Sequence, residues 1–456
     1  MNEIRTNEDR NLVKIVLGLF AAFYIILPSY FAFEISNSLP LLTGGRILIL
    51  ILFFTYYIAK KGKIYRKISY DKSLKKALLC FFSLIITCDL VGIYTAGSEA
   101  IKDLFVVLFE GVLLTWLIVH LIRSYSTLLR FIEIIIYSSL VVGIISIIGV
   151  FLGINPFLVL STVNRSLVIM DFVRMGLLRP QAGFDHAVHY GLYNAVMCSI
   201  ILSVIDEAHG KKRILLSFCF IVDFIALILC NSRGSMIAFL FVFFIWFFQK
   251  RHYTKSFQKK TLYYLVIMIS ALSFTIIIVP SVLDYILNIA LSLHYAFFGT
   301  SDNVIAGYGM NVNGLRSRTD QLSGVYYVLK SNPIFGMGAN AQSRGMIQYF
   351  NSQSKQWYVT DTYDVGYIEI FCNFGLMGLV AYGVLFGTIL KKCVSKKNNS
   401  FNNTMYIFRN AYLVMFIGYL SVDISGTSRL FWILTALFIS YINLYYRYYK
   451  YLERNR

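Results

Sequence analysis

Long apolar stretches separated by short, charged connectors repeat along the whole chain, and this alternation predicts its elements. About 20 apolar residues in a helix cross roughly 30 Å of hydrocarbon, and about twelve segments approach that length. They are 12–33, 43–59, 77–95, 101–121, 131–152, 187–205, 214–230, 235–248, 262–279, 363–390, 406–421 and 429–446. The eighth is short for a crossing, and Gly234 at its start permits a change of depth or tilt. The first follows a polar, charged leader without a small-residue cleavage pattern and reads as a retained signal anchor.

One long polar interruption breaks the pattern, at residues 281–362. Within it, 282–299 is apolar but interrupted by Asp284, Asn288 and His294, which predicts an interfacial amphipathic helix rather than a crossing. Residues 302–314 are rich in Gly and Asn and read as flexible, whereas 320–330 has helical spacing that stops before Pro333. The expected fold class is therefore all-α, a polytopic membrane domain over 1–456 with short helices inserted in loop 281–362.

Composition agrees with this reading: 57% of residues are hydrophobic, 14% are charged, and mean hydropathy is +0.65. The seven cysteines all fall in or at the inner ends of apolar segments. Neither a disulfide framework nor a Cys-x-x-Cys metal site is available in the polar loop. The net charge of +19 needs placement before it implies a partner. Basic runs at 60–76, 211–213, 250–260 and 391–397 all fall on the side that receives both termini, so that side is cytoplasmic and loop 281–362 external. About 30 of the 42 basic residues then lie inside, where lysine dominates. The external set is mainly arginine: Arg46, Arg165, Arg174, Arg179, Arg233, Arg316, Arg318, Arg344 and Arg429. Arginine's planar fork suits phosphate and carboxylate, so these helix mouths suit either an anionic ligand or structural ion pairs and lipid headgroups. Nucleic acid is not an expected partner.

Four separated stretches carry a resemblance: RPQAGFDHAVHYGLYNAV at 179–196, SRGSMIAFL at 232–240, Arg318 followed by SNPIFGMG at 331–338, and DVGYIEIFCNFGLMG at 364–378. Their order and common placement resemble the O-antigen ligase and Wzy polysaccharide polymerase superfamily. The resemblance implies a GT-C-like glycosyltransferase in a bacterial cell membrane. Its donor would be an undecaprenyl-diphosphate-linked oligosaccharide, and it would need no metal or other cofactor. Membrane lipids, a flippase and a chain-length regulator are the implied partners. Where ligases of the superfamily usually carry His, this chain has Asp364, followed by Gly366 and Tyr367, as in many polymerases.

Asp364 is accordingly the candidate general base, with Arg318 beside it in a catalytic role, against helix capping or an ion pair. Arg179, Arg233, Arg316 and Arg165 are candidate contacts to the substrate's diphosphate, the alternative being pairing with Asp185, Asp361 or Asp423 for Arg179 and Arg233, and simple solvation for the loop residues Arg316 and Arg165. His186 and His189, three apart near a helix start, and Tyr367 are candidate substrate contacts. The two histidines fit structural hydrogen bonding equally well, and no cysteine or carboxylate cluster completes a metal site around them. Tyr349, Trp357, Tyr358 and Tyr363 offer faces for sugar stacking. Buried-segment Asp89, Glu110, Asp223 and Glu369 keep a transporter in contention, alongside a ligase using another acceptor.

Overall fold

The structure is a computed structural model describing residues 2–36, 39–61, 71–163, 173–174, 177–205, 207–251, 256–278, 283, 287, 313–351, 354–359, 363–394 and 401–454. It is mostly helical, with 76% of the described residues in helices. Each of the twelve apolar segments contains a helix in its described part. The long helices are α1 (Asn2–Phe23), α2 (Gly44–Lys61), α3 (Lys72–Ala96), α4 and α5 (Ser98–Val106 and Leu114–Leu121, joined by a π-helix), and α6 (Tyr125–Leu152). They continue as α7 (Ala187–Ile205), α8 (Gly210–Leu229), α9 (Arg233–Arg251), α10 (Ser256–Ile278), α11 (Asn313–Ser331), α12 (Gly366–Val394), α13 (Phe401–Gly418) and α14 (Ser428–Arg454).

Among the described residues six helical segments are long and apolar enough to cross a membrane: 72–94, 100–121, 125–152, 187–205, 366–394 and 425–446. Four shorter apolar helices accompany them. The outer faces carry exposed Ile15, Phe54, Leu79, Phe151, Phe218 and Phe244, the surface of a membrane protein rather than of a water-soluble domain. α7 is apolar nearly all round and lies at the centre, packed against α8, α9 and α13, with almost every side chain buried. The 12–33 segment is shorter as a helix than its hydropathy suggests, because α1 stops at Phe23 ahead of Pro28. The chain then runs into the two-residue pairing of β1 (Ala32–Phe33) with β2 (Leu42–Thr43).

Loop 281–362 is only partly helical. The 320–330 helix is present as the longer α11, but it is joined by two strands, β3 (Gln348–Asn351) pairing antiparallel with β4 (Gln356–Val359). Most of the amphipathic segment 282–299 and most of 302–314 lie outside the described residues. Val328, Ile347, Tyr349 and Tyr363 close a small core of their own against Phe371 and Cys372 of α12. Tyr349 and Tyr363 are thus packing residues unavailable for stacking on sugar, while Trp357 stays exposed. Gly324 of α11 is required here, since a Cβ would enter the Tyr349 ring.

The Pro-x-x-Gly-x-Gly stretch has a structural task. α12 breaks at Gly375, whose φ of 60° only glycine adopts readily. The break frees backbone groups that residues 333–338 satisfy: Met337 N donates to Cys372 O at 3.0 Å, Gly338 N to Asn373 O at 2.8 Å, and Leu376 N to Pro333 O at 2.9 Å. This seam carries loop residues 339 and 340 into the bundle, where Ala339 N donates to Asp89 at 3.3 Å and Asn340 Nδ2 to Asp103 at 2.6 Å.

Candidate active site

Helix ends and connectors gather the polar chemistry at one end of the bundle. His189 sits in the first turn of α7 and bonds through Nε2 to Asp423, in the connector between α13 and α14. Asp423 also accepts from Ser425 Oγ at 2.7 Å and Gly426 N at 3.1 Å. The His189 ring lies flat against Gly426, where any Cβ would overlap it. Glu369 in the first turn of α12 holds the same connector from the other side, accepting from Ile424 N at 2.6 Å and Ser425 N at 3.3 Å. Burial alone would raise the Asp423 carboxyl, but the charge and hydrogen bond of His189, with Ser425 and Gly426 donating, offset that and hold it at about 2.

His186 stands just before α7 and accepts from Val188 N through Nδ1 at 3.0 Å, so it caps the helix and keeps its proton on Nε2. Burial, and then the neighbouring His189 and Arg179 charges, push it down to about 3, so the ring is neutral. Arg179 donates through Nε to the Cys230 carbonyl at 2.8 Å. That carbonyl belongs to the α8–α9 connector. Arg233 opens α9 at the end of the same connector, and its Nε is buried with no hydrogen-bond partner among the described residues. The Ser-Arg-Gly sequence explains its position: Ser232 packs on Gly191 of α7, and Gly234 admits Ser421 where a Cβ would collide.

A cavity of about 350 Å³ opens beside this cluster. Arg46, Arg429, Glu110, Asp185 and Glu369 supply its charges, and Ser425 to Arg429 line it with the start of α14. Arg46 Nε pairs with Glu110 at 2.8 Å. The π-helix Val107–Leu113 holds Glu110 in the interior, opposite Arg46 near the start of α2. Arg429 spans Leu27 O and Thr43 Oγ1, and Asp185 accepts from Ser29. Two guanidiniums, three carboxylates and a helix start make a lining of mixed sign, suited to a ligand offering both hydroxyl donors and acceptors.

The structure therefore brings Arg179, Arg233, His186 and His189 to one place, adds Asp423 and Glu369, and extends it to Arg46 and Arg429. Asp364 lies just ahead of α12, its N–H donating to Gln321 Oε1 of α11 at 3.0 Å. The side chains of Arg316 and Arg318 and the whole of Arg165 lie outside the described residues, although α11 carries residues 316 and 318 in its first turns. Tyr367 faces α13, its hydroxyl donating to Phe416 O at 2.7 Å. Arg46 and Arg429 had a signal in the sequence, because both belong to the arginine set at helix starts. Asp423 had a weaker one, as an aspartate named only for structural pairing. Glu110 had only its charge inside an apolar run.

Comparison with protein families gives one match: the O-antigen ligase family model covers residues 218–383, which include Arg233, Arg318, Asp364 and Tyr367 and exclude Arg179 and both histidines. No curated protein matches the chain.

Proposed function

We propose, from the match of residues 218–383 to the O-antigen ligase family model, that the protein is a polysaccharide polymerase, a glycosyltransferase working on the external side of a bacterial cell membrane. It crosses that membrane twelve times with both termini in the cytoplasm. Its donor is a glycan on undecaprenyl diphosphate, and its acceptor is the terminal sugar of a lipid-linked repeat unit. Arg179, Arg233, Arg316, Arg318 and Arg165 hold the diphosphate, the 350 Å³ cavity receives sugar, and His186, His189 and Tyr367 fix the surrounding helix ends.

The observation that carries this reading is the hydrogen bond from Asp364 N to Gln321. Gln321 is three residues, about 4.5 Å of helix rise, beyond Arg318 in α11. The backbone at position 364 is thereby held about one helical turn from position 318 of α11. In the transfer, Asp364 takes the proton of an acceptor hydroxyl, whose oxygen attacks the donor's anomeric carbon. The bond from that carbon to the diphosphate oxygen breaks, and the leaving group departs with the electron pair, its charge stabilised by Arg318 and its neighbours. No step calls for a metal.

A ligase passing the same donor to a different acceptor is the second reading, favoured by the description of the matched family. Incubation of the purified chain with a polyprenyl-diphosphate-linked repeat unit separates the two. A ladder of multiples supports polymerisation, a single adduct on an added acceptor supports ligation, and unchanged substrate with both contradicts transfer.

A further inference from the structure

At the far end of the bundle from the candidate active site, α1 and α6 leave a cavity of about 360 Å³ between them. Its rim is charged. Lys14 and Arg130 stand on it exposed, and neither forms an ion pair among the described residues. Glu133 also lines it, but Lys212 of α8 takes up that charge, so the cavity keeps two uncompensated positive charges. Its wall is apolar. Leu17 follows Lys14 by three residues and Ile134 follows Arg130 by four, so on each helix the cation and the apolar wall share one face.

Gly18 keeps that wall hollow. Among the described residues, the neighbour a Cβ there would meet is Ile134 Cδ1 at 3.6 Å, which is ordinary contact. No close approach of helices therefore requires glycine at this position, and in mid-helix it lowers stability. What its missing side chain leaves is space.

The depth of the cavity matters as much as its charge. Residues 125–152 are long and apolar enough to cross a membrane, and Arg130 lies in the second turn of that stretch. Lys14 is the fourth residue of the apolar helix 11–23. Both cations thus sit where an apolar helix passes from hydrocarbon to the headgroup layer. A ligand that satisfies a cationic rim and an apolar wall at this depth is an anionic amphiphile. Inorganic phosphate would use the rim and leave the wall bare, and a zwitterionic lipid would bring a cation of its own to the two already present.

We propose that the crevice between α1 and α6 binds one anionic glycerophospholipid, its phosphate held by Lys14 and Arg130 and an acyl chain laid along Leu17, Gly18 and Ile134. The bound lipid fastens α1 to α6. The site stands whether or not the chain transfers sugar.

The test is thermal unfolding of the full chain, purified in an uncharged detergent at fixed pH and ionic strength and titrated with phosphatidylglycerol, phosphatidylcholine or inorganic phosphate. Native mass spectrometry counts the lipid retained. Phosphatidylglycerol should raise Tm saturably, by about 3 °C at a hundred times its half-saturating concentration, with one molecule retained per chain. Lys14→Gln combined with Arg130→Gln should abolish the rise. Gly18→Leu, which fills the crevice and keeps both charges, should raise the half-saturating concentration about tenfold or more. Lys211→Gln, which removes an exposed charge beside Lys212, should leave the rise unchanged. An equal rise with phosphatidylcholine, the full rise with phosphate alone, an unaltered response in Gly18→Leu, or equal loss in Lys211→Gln would overturn the site. The comparison of lipids on the wild-type chain decides the matter if a variant does not fold.

Discussion

The two ends of the bundle hold their charges differently. At the end with the cavity, Arg46–Glu110 and Arg344–Asp103 pair with side chains 9–15% exposed. At the opposite end Lys212 pairs with Glu133 at 48% and 30% exposure, and Lys392 with Asp71 at 24% and 7%. Arginine at the first end is desolvated, committed to fixed acceptors by its planar fork, and continuous with a cavity. Lysine at the second end is more exposed, at 48% for Lys212 and 24% for Lys392, where an ion pair contributes less. A charge removed from the first end therefore changes the shape of a site, while breaking an exposed pair at the second changes the fold little.

The largest expected effect is on chemistry. Asp364→Asn should lower transfer by about 10²-fold or more with folding intact, read as loss of the product ladder, whereas Lys212→Ala should leave the ladder unchanged. Next in size is stability. Glu110→Ala leaves Arg46 buried and unpaired and should destabilise the fold by about 3–5 kcal/mol. Replacing both partners by apolar residues, as in Arg46→Met with Glu110→Leu, should recover most of that loss in a thermal or denaturant melt. If Glu110→Ala melts like wild type, the contrast between the ends fails.

Acid titration sharpens the contrast further. The folded His186 value of about 3 lies below its ordinary 6.5, so its neutral ring contributes stability that is full above pH 6.5 and lost as pH falls towards 3. Asp423, held at about 2 from an ordinary 3.8, contributes stability present above about pH 4 and lost as pH falls through 2. His186→Gln should flatten melting temperature against pH between about 6.5 and 4 and leave the more acidic limb in place. The smallest effect is expected at the other end, where Lys212→Ala should cost about 1 kcal/mol or less, and less still in high salt.

Hydropathy made the helices legible because membrane burial imposes one long signal per element, and α7 to α10 and α12 to α14 lie where apolar runs placed them. It also exposed Arg179, Arg233 and His189, since charge at a helix mouth stands out against an apolar background. The partners were not legible. His189 and Asp423 are 234 positions apart, as are no neighbours along a helix, and only packing of α7 beside α13 joins them. The π-helix that brings Glu110 to Arg46 leaves no periodicity of its own in so apolar a run. Strands β3 and β4 did leave one: Tyr349 and Phe350 in the first and Trp357 to Val359 in the second are β-favouring residues flanking a polar SQSK connector. Short strands in a long external loop are simply overlooked when helices are expected.

The central claim is that α11 and the start of α12 build one catalytic unit, Arg318 and Asp364 acting on the same transition state. A double-mutant cycle on single-turnover transfer tests it, comparing Arg318→Ala, Asp364→Asn and the pair in protein of verified fold. Residues acting as a unit are strongly non-additive, so the double variant should be little slower than the worse single one. Two independent, multiplying losses, or undiminished transfer in either single variant, would contradict the account.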